Sequence, residues 1–254
     1  MKIKPGSIIS FLVFGVIAVV FFYNVFEDVS GSKQNTGSKY ISEDSTQEIL
    51  KGWPPGIESV ERESSENMLK KNYYIIFDAS GSMQGDKIIT AKKALLEFVK
   101  HVPEDANLGL AVFDATGLSE RNRLGGNRND LVDLISRVRA EGGTPLRSAL
   151  QLAYDKINIQ AARQLGYGEY SIIVVTDGEA SQGEEPDKIV NRILAESPVS
   201  IHTIGFKIGT NHSLNQPGKI LYKQANNLME LSAGLEEVLA ELEDFSVTDY
   251  KEQD

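Results

Sequence analysis

Tyr73-Tyr74-Ile75-Ile76-Phe77-Asp78-Ala79-Ser80-Gly81-Ser82-Met83 is the stretch that decides how this chain folds. Five large apolar or aromatic residues run without interruption into an acid and then a Ser-Gly-Ser corner. An unbroken apolar run of this length reads as a strand buried on both faces, which places it in the middle of a parallel sheet. Asp78 then stands where the strand leaves the core. In open α/β sheets that carboxyl end is where ligands bind. Asp78, Ser80 and Ser82 alternate along the chain, and Gly81 lets the backbone turn so that their oxygens converge. Oxygen-only donors suit a hard divalent cation such as magnesium. The same residues also serve as ordinary turn and cap residues, so this stretch alone does not choose between the two uses.

Outward from it, apolar runs alternate with helical periodicity. Ile88, Ala91, Leu95, Phe98, Val99 and Val102 fall on one helical face, and 107–113 reads as a second apolar strand. A polar loop, 114–129, has room for a short edge strand. Leu131, Leu134, Ile135 and Val138 mark another helix, which ends before Gly142-Gly143. Thr144-Pro145 opens a third, carrying Leu146, Leu150, Ala153 and Ile157. Ser171 to Thr176 is a buried strand that ends in Asp177-Gly178. A helix over 189–194, a strand over 199–206 and a closing helix through Leu228, Leu231, Leu235, Val238, Leu239 and Leu242 complete the pattern. Strands separated by helices predict a doubly wound α/β fold, its sheet mostly parallel and covered by helices on both faces.

Three places carry oxygen donors at the predicted strand ends: Asp78-x-Ser80-x-Ser82, Gly142-Gly143-Thr144-Pro145-Leu146 and Thr176-Asp177-Gly178-Glu179. Thr144 has a second explanation, as an N-cap with proline at the first helical position. Together and in this order, the three motifs resemble the metal-ion-dependent adhesion site of von Willebrand factor A domains. The resemblance covers residues 71–245. It implies a Rossmann-like sheet with one antiparallel edge strand and a cation at its top. It further implies that Ser80, Ser82 and Thr144 bind the metal through hydroxyls, while Asp78 and Asp177 act mostly through water. Mg2+ is the expected ion, with Mn2+ or Ca2+ as alternatives. Neutral hydroxyl donors leave the ion's charge poorly neutralised, so a protein partner offering an Asp or Glu carboxylate is the expected ligand. No basic residue is read into the site, so Asp78 and Asp177 are expected to repel each other without a cation.

The rest of the chain bounds the context. Residues 8–26 contain no charge and only Ser10 and Asn24 as polar residues. At 1.5 Å per residue, such a helix approaches the thickness of a bilayer's hydrocarbon core. No small-residue cleavage pattern follows, which favours an uncleaved anchor over a signal peptide. Lys2 and Lys4 precede the span while Glu27 and Asp28 follow it, so residues 1–7 are expected in the cytoplasm. The rest is then expected outside the cytoplasmic membrane, in a single-pass topology. Residues 27–70 read as a polar tether and 246–254 as a tail. Within the tether, Trp53-Pro54-Pro55 reads as a strap on the domain or a docking peptide for another protein, the strap being favoured.

Composition excludes several functions. The 254 residues include no cysteine, which removes disulfides, thiolate catalysis and cysteine-ligated zinc. The formal charge is −10, and every acid lies after residue 26, so nucleic acid is not an expected partner. No catalytic residue is assigned. A haloacid-dehalogenase-type phosphatase needs a second Asp where Ser80 stands, and Ala79-Ser80-Gly81 is no serine-hydrolase elbow. Gly218-Lys219 lacks the spacing of a phosphate loop. A metal-dependent hydrolase is thus a weaker alternative. An adaptor subunit of a chelatase-like, ATPase-driven assembly is a second one, and the expected topology disfavours it. His101, His202 and His212 read as incidental, with His212 nearest the site but on the surface. Glu236, Glu237, Glu241 and Glu243 read as the solvated face of the last helix.

Overall fold

Along the central strand, β1 (Lys71–Asp78), side chains alternate between two separate cores. Tyr73, Ile75 and Phe77 enter one; Tyr74 and Ile76 enter the other. Both faces of β1 are sealed, which is why its sequence shows no polar alternation. The computed structural model describes residues 52–56 and 60–243. The expected span at 8–26, most of the tether and the tail lie outside the described residues. Among the described residues, no helix is long and apolar enough to cross a membrane.

Among the described residues, six strands form one sheet: β1, β2 (Asn107–Asp114), β3 (Gly117–Asn122), β4 (Glu169–Thr176), β5 (Ser200–Phe206) and β6 (Leu221–Ala225). Their spatial order is β3-β2-β1-β4-β5-β6. Only β3 runs antiparallel, against β2 at the edge. The other neighbours are parallel. The strand order therefore reverses between β1 and β4, and a crevice opens beyond their carboxyl ends.

Among the described residues, five helices cover the sheet. α1 (Asp86–His101), α2 (Arg128–Arg137) and α5 (Leu228–Glu243) pack on the Tyr73 face, through Leu95 and Phe98, Leu131 and Ile135, and Leu231 and Leu235. α3 (Leu146–Arg163) and α4 (Asp187–Glu196) cover the other face through Leu150, Ala153 and Ile157, and through Val190 and Ile193. The apolar spacing in the sequence thus gives the helices and their inward faces. The short edge strand for which the polar 114–129 loop had room is present as β3. Strand β6 was not expected, because Leu221-Tyr-Lys-Gln-Ala is mostly exposed and carries no apolar run.

Before β1, the chain is already held on the domain. Glu63 N–H donates to the Arg163 carbonyl at 3.0 Å. The Gln164 amide, fully buried, donates towards the carbonyls of Asn67, Met68 and Lys70 at 3.0–3.1 Å. Trp53 lies edge-on to Tyr170, with ring centroids 5.0 Å apart, and its indole N–H donates to Asn158 Oδ1 at 2.8 Å. The tryptophan is a strap against α3 and β4.

Candidate metal centre

The corner after β1 is tied to the rest of the sheet edge by backbone bonds. Ala79 N–H donates to the Phe113 carbonyl at the end of β2, at 3.0 Å. Gly81 N–H donates to the Gly142 carbonyl at 3.0 Å, and Glu141 N–H to the Ala79 carbonyl at 2.8 Å. Residues 81–83 form a single 3-10 turn. Gly142 has φ +93, open to glycine and strained for other residues, and a Cβ there would lie 3.1 Å from the Asp114 carbonyl oxygen. At Gly143 a Cβ would lie 2.9 Å from Ser181 Oγ. The Gly-Gly pair is what lets Thr144 come up to the corner.

Within this frame the five expected residues come together. Asp78 is fully buried and accepts the Ser80 N–H at 2.8 Å on one oxygen and the Thr176 hydroxyl at 2.6 Å on the other. Burial pushes its carboxyl above the usual carboxylate range. The bonds from Ser80 and Thr176 pull it back, while the charge of Asp177 adds to the rise. Ser80 Oγ and Ser82 Oγ lie 2.9 Å apart, and Ser82 Oγ donates to Asp177 Oδ1 at 2.6 Å. A methyl group built on Gly178 would sit 3.3 Å from Ser82 Oγ and 3.7 Å from Thr144 Oγ1. Both hydroxyls therefore border one small volume beside the Gly178 backbone. Three hydroxyls backed by two carboxylates, next to a glycine, are a donor set that fits a small hard cation.

Two expectations need correction. Thr144 does not cap α3: Pro145 occupies the N-cap position, and the first-turn Ser148 N–H donates to Glu184 Oε2 at 2.8 Å. Instead the Thr144 N–H donates to Ser181 Oγ at 2.9 Å, and its carbonyl accepts the Ser181 N–H at 2.9 Å. His212 is not on the surface but 5% exposed. Its Nδ1 accepts the Leu214 N–H at 3.0 Å, so Nε2 carries the proton that it donates to the Gly178 carbonyl at 2.8 Å. The ring stacks on Tyr222. The other two histidines stand as expected, His101 ending α1 and His202 inside β5.

The site also contains a cation of its own, contrary to expectation. Lys87, in the first turn of α1, forms an ion pair with Asp177 Oδ2. The Asp177 side chain is fully buried, whereas that of Lys87 is 29% exposed. Thr176, Ser181 and Lys87 were all missed in the sequence. Thr176 was readable in principle, as the last residue of β4 at the same edge. Lys87 was not, because a four-carbon side chain reaching back from a helix leaves no spacing signal.

A shallow cavity of about 230 Å3 adjoins Thr144, lined by Phe113, Asp114, Leu118, Pro145 and Ser181 among others. At its rim, Arg121 binds both oxygens of Asp114 at 3.0 Å, and Asp114 also accepts the Thr116 hydroxyl at 2.7 Å. These contacts close the β2–β3 turn beside the site.

Comparison with known proteins places this architecture. A family model for the von Willebrand factor type A domain matches residues 72–245. Mouse inter alpha-trypsin inhibitor, heavy chain 4, is 28% identical over 153 residues, which is 57% of this chain and 16% of that protein. The chain thus spans a small part of that relative's length. Among solved structures, an aerotolerance-related membrane protein from Bacteroides fragilis aligns with a TM-score of 0.55 at 14% identity, over 69% of this chain and 100% of its own. The manganese-loaded Plasmodium vivax TRAP protein aligns with a TM-score of 0.52 at 20% identity, over 66% of this chain and 72% of its own. At such identities the likeness is one of fold. The family model, which spans most of the sequence and all three motif loops, shows that this chain belongs to the von Willebrand factor type A domain family.

Proposed function

We propose that this chain is a membrane-tethered recognition module that takes a carboxylate of a protein partner through a divalent cation at the β1–β4 edge. Domains of the family are generally non-catalytic interaction modules. The observation that carries the reading is the convergence of Asp78, Ser80, Ser82, Thr144 and Asp177 at the strand-order reversal. Ser80, Ser82 and Thr144 would hold the ion through hydroxyls. Asp78 fixes the corner through Ser80 N–H and Thr176, and Asp177 orients Ser82. Bound there, Mg2+, or Mn2+ or Ca2+ in its place, would supply positive charge that neutral hydroxyls leave largely uncompensated and that would attract an anionic ligand. Support for a metal comes from the manganese-loaded structural neighbour. Support for a membrane tether comes from the uncharged stretch 8–26 and from the Bacteroides fragilis neighbour, itself described as a membrane protein.

The domain's own acidity would repel an acidic partner at long range, and salt screens that repulsion. Retention is therefore expected to depend steeply on the cation and weakly on moderate salt. The test is a pull-down from membrane extracts with the wild-type chain and with Thr144→Ala, each in magnesium and in chelator. Partners held only by the wild type with magnesium support the reading. The same partners under all four conditions would sink it.

A further inference from the structure

Lys87 brings a fixed positive charge into this site. Its ammonium pairs with Asp177 Oδ2, while the other oxygen of Asp177 accepts Ser82. Asp177 is thus fully engaged by the protein itself. Ser82, the hydroxyl that Asp177 holds, is in turn 2.9 Å from Ser80 and borders the volume shared with Thr144. One side chain from α1 therefore neutralises the carboxylate that organises the donor set. Its own exposure, 29%, leaves it room to withdraw towards solvent, which the buried Asp177 lacks.

We propose that Lys87 is a built-in competitor of the metal, holding Asp177 while the site is empty of a cation and lowering the site's affinity for one. The inference rests on the metal reading above. Two like charges cannot share a buried carboxylate without repulsion, and at a separation of a few ångströms in a partly desolvated site that repulsion is large. A divalent ion must displace the ammonium or bind beside it, and either route weakens binding. The same lysine offsets part of the repulsion between Asp78 and Asp177 in the metal-free protein. The site is then a low-affinity one, filled where the cation is abundant and empty where it is scarce, and the protein stays folded in both states.

The experiment is a Mn2+ titration of the purified full-length chain, following free Mn2+ by electron paramagnetic resonance. Wild type, Lys87→Met and Lys87→Arg are compared, each with its melting temperature in chelator and in excess Mn2+. Lys87→Met is expected to bind Mn2+ at least about tenfold more tightly. It should also melt lower than wild type in chelator and gain more on metal addition. Lys87→Arg, which keeps the charge, should bind as wild type does. Equal or weaker binding by Lys87→Met overturns the proposal while leaving the metal site standing, as does Lys87→Arg tightening to the same degree. Absence of Mn2+ binding in all three chains overturns both the proposal and the metal reading. A purely structural lysine would lower the melting temperature equally with and without metal.

Discussion

Thr144 precedes a proline at the start of a helix, so its sequence supports a cap and a metal ligand equally well. The structure removes the cap, because Pro145 takes the cap position and the Thr144 backbone is bound to Ser181 instead. Thr144→Ala is accordingly expected to change stability by about 1 kcal/mol or less. Its loss of metal-dependent partner retention would then be a binding effect, and a urea melt beside the pull-down checks that. The contrast with Lys87 shows what single residues disclose in sequence. Asp78, Ser80, Ser82 and Asp177 were legible because strand ends and a tight corner fix where short side chains lie. Lys87 and His212 act over distances set by tertiary packing, so no local pattern announces them.

Elements buried on both faces were legible for the same reason that they are stable: β1, β2 and β4 need continuous apolar sequence, and they have it. The edges were less so. β3 is half exposed and was only expected as a short strand somewhere in a loop, while β6 is defined by its pairing with β5 and by little else. The lead-in to β1 was read as tether, yet Gln164 at the end of α3 binds its backbone through three carbonyls. Polar side-chain-to-backbone bonds of this kind have no hydrophobic signature. Gln164→Leu removes those three bonds, and a loss of about 1–3 kcal/mol is expected. Hydrogen exchange should then show faster exchange in residues 63–70 and in Asn72, with the β4–β5 pairing unaffected.

Over the whole molecule, metal and proton should act on stability from separate places. A cation that binds only the folded chain stabilises it by mass action, by roughly 2.7 kcal/mol at 100 times its dissociation constant. The melting temperature of the full-length chain should therefore rise with Mg2+ in the wild type and not in Asp78→Ala; equal rises would place the stabilising ion elsewhere. The proton acts through His202, buried in β5 beside Ser200, whose imidazole is held down to about 4 by desolvation. The unfolded chain takes up that proton near 6.5 and the folded chain only near 4. Stability is then full above 6.5 and falls as the pH drops towards 4, by about 1.4 kcal/mol for each unit. Urea midpoints at pH 7.5 and pH 5 should show the fall, and His202→Gln should flatten it. The strap has a mechanical consequence. Trp53 grips Tyr170 at the start of β4, whereas Asp177 follows the last residue of that strand, about 23 Å away. A pull between a captured partner and the strap would run lengthwise along β4 and its parallel neighbours β1 and β5. Such a load shears all the rungs of those ladders together instead of unzipping them one by one, so under the proposed function the sheet lies along the line of tension between the carboxyl edge and the strap.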